Sequence, residues 1–76
     1  MIETHLLGHL EALLFTAGEP LPLEKIGAAL ELNTSETEEL VEALKTSYAG
    51  EARGLRIRKI AGGIQLTTKP ELFKNW

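Results

Sequence analysis

The hydrophobic pattern changes its period once, near Gly54, and this change constrains the fold more than any other feature of the chain. Before Gly54 the apolar residues recur every three or four positions, as in helices that pack on one side. After it, apolar and polar side chains alternate over 55–58 and again over 64–67, which is typical of half-buried strands. The pattern therefore predicts helices followed by a pair of strands.

Three helices are predicted ahead of the change. The first runs from Thr4 for about four turns, by its periodicity. The second has Pro22 at its first position, where a missing backbone donor costs nothing. The third starts at a capping box of Ser35 and Glu38. Their buried stripes are Leu6, Leu7, Leu10, Leu13, Leu14 and Ala17, then Leu23, Ile26 and Leu30, then Thr37, Leu40, Val41, Leu44 and Tyr48.

The prolines between the first two helices predict a turn or a very short edge strand at 19–22, because proline cannot continue a helix. Gly62-Gly63 predicts a two-residue hairpin turn. That turn would set Ile57 opposite Thr68 and Lys59 opposite Leu66. One hairpin face then collects Leu55, Ile57, Ile64 and Leu66, and the other collects Arg56, Arg58 and Lys69.

Pro70 is suited to open a fourth helix with Leu72, Phe73 and Trp76 on one side. The order of three helices, a hairpin and the start of a fourth helix predicts an α+β fold of the winged helix-turn-helix type, in which the second and third helices are the turn pair and the hairpin is the wing. We expect residues 1–76 to form a single winged-helix domain, and to be the N-terminal half of a longer two-domain protein.

Composition narrows the function classes. The chain has no cysteine, which excludes disulfides and thiolate zinc sites. It has no apolar run of the roughly 20 residues that span a bilayer, so no membrane association is expected. The net charge of −3 is uneven. Residues 1–52 hold ten Glu against two Lys, whereas residues 53–76 hold six Lys or Arg against one Glu.

Several local strings resemble a known family, segregation and condensation protein B. They are Glu11-Ala12-Leu13-Leu14-Phe15, Ala17-Gly18-Glu19-Pro20-Leu21, Gly54-Leu55, Ala61-Gly62-Gly63-Ile64-Gln65-Leu66 and Thr68-Lys69-Pro70. The chain departs from the family pattern at Pro22, where Ser or Thr is common, and at Ile64, where Tyr is common. The family's second winged-helix domain is missing from this sequence.

The resemblance implies a non-catalytic subunit of a bacterial condensin complex that acts in chromosome condensation and segregation. Such a subunit forms a homodimer and binds the kleisin subunit, which bridges the heads of the chromosome-maintenance ATPase. It also implies a cytoplasmic protein that reaches the nucleoid through the complex.

The residues that suggest chemistry have simpler explanations. His5 and His9 have a chelating spacing, but the other candidate ligand nearby, Glu11, lies about 160° from His9 around the helix. The glutamates of the third helix are explained by an exposed face and by the helix dipole. Ser35 and Ser47 lack a nucleophilic partner in the sequence. We therefore expect no enzyme, no metal and no cofactor.

Two sets of residues are candidate interaction surfaces. The hypothetical protein interface comprises Ile2, Phe15, Leu72, Phe73 and Trp76. Phe15 lies roughly opposite Leu6 on the first helix, and we expect it to pack under the wing, with an exposed partner contact as the alternative. Arg56, Arg58 and Lys69 could weakly contact phosphates or an acidic partner, although a solvated face is the favoured interpretation.

The alternative function is a winged-helix DNA-binding transcriptional regulator, in which the third helix enters the major groove. That helix carries four Glu and only Lys45, so DNA phosphates would repel it. We expect no tight sequence-specific DNA binding.

Overall fold

The computed structural model describes residues 4–50 and 52–69. Three helices come first: α1 (Thr4–Ala17), α2 (Leu23–Leu30) and α3 (Thr34–Ser47). Two antiparallel strands follow, β1 (Leu55–Ile60) and β2 (Gly63–Thr68). This confirms the predicted order up to the hairpin. The predicted fourth helix lies outside the described residues, together with Ile2, Leu72, Phe73 and Trp76.

The core lies where the three helices meet the inner face of the hairpin. It consists of Leu10, Leu14, Ile26, Leu40, Val41, Leu44, Tyr48, Ile57 and Ile64, each at most 7% exposed. The central residues of all three predicted helical stripes are among them, and Thr37 is also fully buried. Its hydroxyl donates a hydrogen bond to the carbonyl of Asn33 at 2.8 Å, which satisfies the polar group inside the core.

The turn between α2 and α3 brings two backbones close together. Gly27 is buried, and a Cβ added there would lie 2.8 Å from Oγ1 of Thr37 and 2.9 Å from the carbonyl oxygen of Leu32. Glu31 closes α2 in the left-handed conformation, with φ of 59°. Gly27 therefore allows the close approach of α3, although a glycine inside a helix lowers its intrinsic propensity.

The starts of α2 and α3 differ from the predicted positions. Pro22 is the N-cap of α2 and not its first residue; its carbonyl accepts bonds from the amides of Lys25 and Ile26. The capping box of α3 is formed by Asn33 and Glu36, and the prediction of Ser35 and Glu38 was wrong. The amide of Glu36 donates to Oδ1 of Asn33 at 2.8 Å, and the amide of Asn33 donates to Oε1 of Glu36 at 3.0 Å.

The hairpin register differs from the prediction by two residues. Ile57 pairs with Leu66, Lys59 with Ile64, and Ile60 with Gly63, so the turn residues are Ala61 and Gly62. Because the shift is an even number, the predicted side-chain faces are unchanged.

The expected short edge strand is present as a single bridge beside β2. The amide of Leu21 donates to the carbonyl of Ile64 at 2.9 Å, and the amide of Ile64 donates back at 2.7 Å. Gly63 has φ of +128°, and a Cβ at that position would lie 2.1 Å from the carbonyl oxygen of Leu21. The bridge therefore requires glycine at 63 and fastens β2 to the turn before α2.

Candidate protein-interaction surfaces

The wing is tied to α3 by an ion pair between Lys59 and Glu42. Both side chains are about half exposed, at 54% and 52%. The hydrogen bond and the charge of Lys59 lower the pKa of the Glu42 carboxyl. Beside this pair, an open groove of about 420 Å³ separates the hairpin from α2 and α3. Its lining includes Leu23, Val41 and Ile64, and Ile60 at its edge is 37% exposed.

The outward face of α3 is acidic. Glu38, Glu39 and Glu42 are exposed and line one shallow hollow together with Ser35, Ala43 and Thr46. Lys45, in the last turn, is the one basic residue of this helix. A helix in the recognition position of a DNA-binding winged helix would instead present cationic or amide side chains to base edges.

The three predicted basic residues are brought to one hairpin face, but they are not equally available. Arg58 is exposed, whereas Arg56 is half-buried and its Nε lies inside the protein across from Thr67. Nζ of Lys69 donates a hydrogen bond to the carbonyl of Gly50 at 2.9 Å. The cationic side chains are therefore partly committed to the fold.

Arg56 and Lys69 line a hollow of about 480 Å³ at the end of α3, and Lys45 joins them there. Lys45 lies on a different element from the hairpin cations, so the sequence pattern alone does not group it with them. The helical repeat of α3 places Lys45 one turn before Tyr48, which lines the same hollow. This three-residue spacing is the sequence signal from which the position of Lys45 in the hollow could have been predicted.

From the sequence we expected Phe15 to pack under the wing, and this prediction was wrong. Its side chain is 75% exposed on the outer face of α1. The contacts of α1 with α2, α3 and β2 are made by its opposite face, where Leu10 and Leu14 are buried. The alternative, that Phe15 faces a partner, therefore stays open.

The same helix is joined to the end of α3 by a polar contact. The hydroxyl of Tyr48 donates a hydrogen bond to Oε2 of Glu11. Tyr48 is 6% exposed, and burial, followed by the contact with the Glu11 carboxylate, raises the pKa of its phenol well above the ordinary value. The contact fixes the relative position of two helices.

The rings of His5 and His9 meet edge to face with centroids 5.5 Å apart. Within residues 4–50 and 52–69, no group of three or more His, Cys, Asp or Glu side chains is arranged to hold a metal ion. In the same ranges, no helix is long and apolar enough to cross a membrane.

These features define a winged-helix domain with an acidic recognition-position helix, a basic hairpin face and an exposed aromatic residue on α1. The chain belongs to the segregation and condensation protein B family, because residues 8–75 match the family described as segregation and condensation complex subunit ScpB. A segregation and condensation protein B from Moorella thermoacetica is 45% identical over 62 residues, which is 82% of this chain and 32% of that protein. The chain thus spans about a third of the length of the curated relatives it matches.

Two solved structures are also similar. One is described as a dimer of the ScpB N-terminal domain complexed with ScpA peptide. It has a TM-score of 0.85 and 35% identity, over 90% of this chain and 79% of that one. The other is a conserved hypothetical protein from Chlorobium tepidum, with a TM-score of 0.74 and 37% identity, over 90% of this chain and 43% of that one.

Proposed function

We propose that this chain is a non-catalytic protein-interaction module of a bacterial condensin-like complex. It dimerises and binds a kleisin subunit, and through the kleisin it joins the chromosome-maintenance ATPase in chromosome condensation and segregation. The observation that carries this proposal is the similarity to the ScpB N-terminal domain, which was solved as a dimer with ScpA peptide.

The described polar contacts support a module that binds without chemistry. The Lys59–Glu42 and Tyr48–Glu11 pairs hold α3 to the wing and to α1, and both carboxylates are on exposed residues. The remaining carboxylates of α3 are exposed. Catalytic acids and bases usually occupy a cleft that shifts their pKa values, so the acidic face is better explained as a solvated or partner-contacting surface.

The proposal includes the place of this domain in a larger protein. We propose that it acts as the N-terminal winged-helix domain of a longer two-domain subunit, which is cytoplasmic and reaches the nucleoid through its complex. The similar ScpB structure of corresponding size is itself an N-terminal domain. Ile2, Leu72, Phe73 and Trp76 remain part of the proposed protein interface, since large aromatic side chains dominate interface energetics when buried.

The DNA-binding alternative is disfavoured by charge. The helix that would enter the major groove exposes four glutamates, and a duplex carries about one negative charge per 1.7 Å. Any contact with DNA would be weak, would run through Arg56, Arg58 and Lys69, and would fade steeply with salt. Nanomolar duplex binding at physiological salt that is lost on changing α3 would contradict this.

A binding experiment with purified components tests the proposal. The chain is mixed with a kleisin-type subunit of the same complex, and the complex is measured by calorimetry and by mass in solution. We expect a saturable complex containing two copies of the chain. A chain that stays monomeric and shows no binding at micromolar concentrations would refute the proposal. Phe73→Ala with Trp76→Ala tests the outlying residues, because a folded monomer would support their interface role.

A further inference from the structure

We infer that the hollow at the end of α3 binds a phosphate of the DNA backbone without reading the base sequence. The inference rests on the proposed function, which places the chain in a complex that acts on chromosomes, and it adds a direct contact of this domain with DNA. The hollow has a volume of about 480 Å³. It is called the cationic hollow, after Lys45, Arg56 and Lys69 in its lining.

The lining of the cationic hollow collects positive charge in a chain that is acidic overall. Its residues are Lys45, Tyr48, Ala49, Arg56, Ile57 and Lys69. Among residues 4–50 and 52–69 no carboxylate lines it, whereas Glu38 and Glu42 line the wing groove and the hollow on α3. The whole chain has 11 acidic and eight basic residues, so an excess of positive charge does not explain why three cations meet here. Like charges at one site repel each other, and a bound anion offsets that repulsion.

The polar contacts of the lysines leave their charge in place. Nζ of Lys69 donates to the carbonyl of Gly50, which carries no net charge. The lowered pKa of Glu42 comes first from the hydrogen bond and charge of Lys59 and only last from the charge of Lys45. The carboxylate of Glu42 is therefore bound to the wing and is not available to neutralise the cationic hollow.

Arg56 supplies an independent sign that an anion belongs here. Its Nε is buried without a hydrogen-bond partner, and so is the hydroxyl of Thr67, its neighbour across the hairpin. In the described ranges, 4–50 and 52–69, no other buried side-chain nitrogen or oxygen lacks a partner. Taking part of a charged group out of water without a compensating partner costs free energy. The unsatisfied groups thus coincide with the strand pair that contributes Arg56 to the cationic hollow, where an anion would offset that cost.

The cations continue beyond the hollow, which favours a chain of charges over a single small ion. Arg58 lies two residues along β1 from Arg56 and on the same outer face, about 7 Å away by the rise of a strand. It is exposed. Arginine binds phosphate oxygens through its planar fork of donors. Successive phosphates on one DNA strand can therefore occupy the hollow and the outer face of β1 together.

The rest of this face fits a phosphate backbone better than a protein segment. Opposite Arg56 and Arg58 stand Thr67 and Gln65, so these two strand pairs present only polar or charged side chains. A protein partner is normally held by buried aromatic or apolar anchors, and these pairs offer none. Phosphate oxygens need only cations and polar donors such as Thr and Gln. DNA then lies beside the wing and the last turn of α3, away from the glutamates nearer the start of that helix.

The salt dependence of duplex binding tests the number of contacts. Contacts of four phosphates with Lys45, Arg56, Arg58 and Lys69 predict a slope of about −3.6 for log K against log salt, or about 150-fold weaker binding at 200 mM than at 50 mM. Fluorescence anisotropy of a labelled duplex of about 20 base pairs should give a Kd of about 1–100 μM at physiological salt. Two duplexes of unrelated sequence should bind equally, because phosphate contacts carry no sequence information.

A matched pair of lysine variants tests the site itself. Lys45→Gln should weaken duplex binding about tenfold at 50 mM salt and reduce the slope by about 1. Lys25→Gln removes the same charge from an exposed position on α2 and should leave the slope unchanged. Arg56→Gln should act like Lys45→Gln, and its urea midpoint checks the fold. Because Lys45 is exposed, its variant tests the site even if Arg56→Gln unfolds.

NMR of the backbone amides shows where the duplex lies. Shifts on adding the duplex should cluster at residues 45–49, 56–58 and 67–69 and leave residues 34–42 unmoved. Inorganic phosphate, at a concentration equal to the total phosphate of the duplex, should leave the spectrum unchanged. A polyglutamate peptide has about one charge per 3.4 Å when extended, half the linear charge density of a duplex, and should bind more weakly.

Each contrary outcome has a distinct meaning. Equal binding by Lys45→Gln and Lys25→Gln, or shifts centred on residues 34–42, overturns the assignment to the cationic hollow. Saturation by inorganic phosphate alone, or binding of polyglutamate as tight as that of the duplex, overturns DNA as the ligand. A chain that forms the kleisin complex but does not bind the duplex overturns the inference and leaves the proposed function standing. A chain that binds the duplex as predicted but neither dimerises nor binds a kleisin overturns the proposed function instead.

Discussion

The phenol of Tyr48, at the C-cap of α3, donates a hydrogen bond to the carboxylate of Glu11 in the middle of α1. Tyr48→Phe removes this bond and keeps the ring in the core. We expect the free energy of unfolding to fall by about 1 kcal/mol, the net value of a typical hydrogen bond. Urea denaturation measures it, and an unchanged midpoint would mean that the contact contributes nothing.

The same residue predicts a loss of stability in alkali. The pKa of Tyr48 is raised in the folded state, so its contribution is present below the unfolded value of about 10 and is lost at higher pH, where only the unfolded chain ionises. The stability difference between the natural chain and Tyr48→Phe should therefore shrink above about pH 10. Tyr48 is the only tyrosine, so tyrosinate absorbance should show its midpoint well above that value.

The ion pair between the wing and α3 predicts a local titration shift. Lys59 lowers the pKa of Glu42 from its ordinary 4.5, first through the hydrogen bond and then through its charge. The contribution of the pair is therefore present above that value and disappears as the pH falls through the lowered pKa. Carbon-detected NMR should show the pKa of Glu42 rising toward 4.5 in Lys59→Met. Lys45→Gln is the control and should move it less.

Gly27 and Gly8 are both helical glycines, but opposite outcomes are expected when they become alanine. At Gly27 the new methyl group meets Thr37 and the carbonyl of Leu32 below 3.0 Å, and the overpacking should cost about 1–3 kcal/mol. At Gly8 the space is open, and alanine should stabilise the helix by about 0.5–1 kcal/mol. Thermal denaturation at concentrations where the chain is monomeric compares the two. Equal effects would contradict the close approach of α2 and α3.

The N-cap of α3 is Asn33 in the structure, whereas the sequence predicts Ser35, and two substitutions test which residue caps the helix. Asn33→Ala should destabilise the protein by about 1 kcal/mol, because its side chain satisfies the free amide of Glu36. Ser35→Ala should change stability by less than about 0.5 kcal/mol, as usual for an exposed residue without such a contact. The reverse ranking in urea denaturation would restore the original capping assignment.

The order of the elements could be predicted because hydrophobic period and proline placement are local signals. The buried positions of α3 followed directly from its repeat, and Thr37 was correctly included. The capping assignment failed because Asn33 and Ser35 both stand three residues before a glutamate, and the local pattern does not distinguish them. Only the backbone geometry at Asn33, extended with ψ of 173°, decides which one caps the helix.

The prediction of the hairpin register was wrong for a different reason. The sequence predicts the turn at Gly62-Gly63, yet Gly63 lies in β2 and is needed for contact with Leu21, which is 42 residues away. Sequence neighbours carry no information about such a contact. The prediction for Phe15 was wrong for a similar reason. The helical period of α1 places Phe15 opposite the core stripe, but whether another element covers that side depends on the tertiary fold.

The bridge between Leu21 and Ile64 also has a consequence for the order in which the chain folds. A hairpin with a two-residue turn closes in about 1–10 μs, but an isolated two-stranded hairpin is marginal in water. The wing becomes persistent only when a loop of more than 40 residues, containing all of α2 and α3, has closed onto it. Closure of so long a loop belongs to the slow, high-contact-order part of folding. The amides of Leu21 and Ile64 should therefore acquire protection from hydrogen exchange together, after those in the middle of α3.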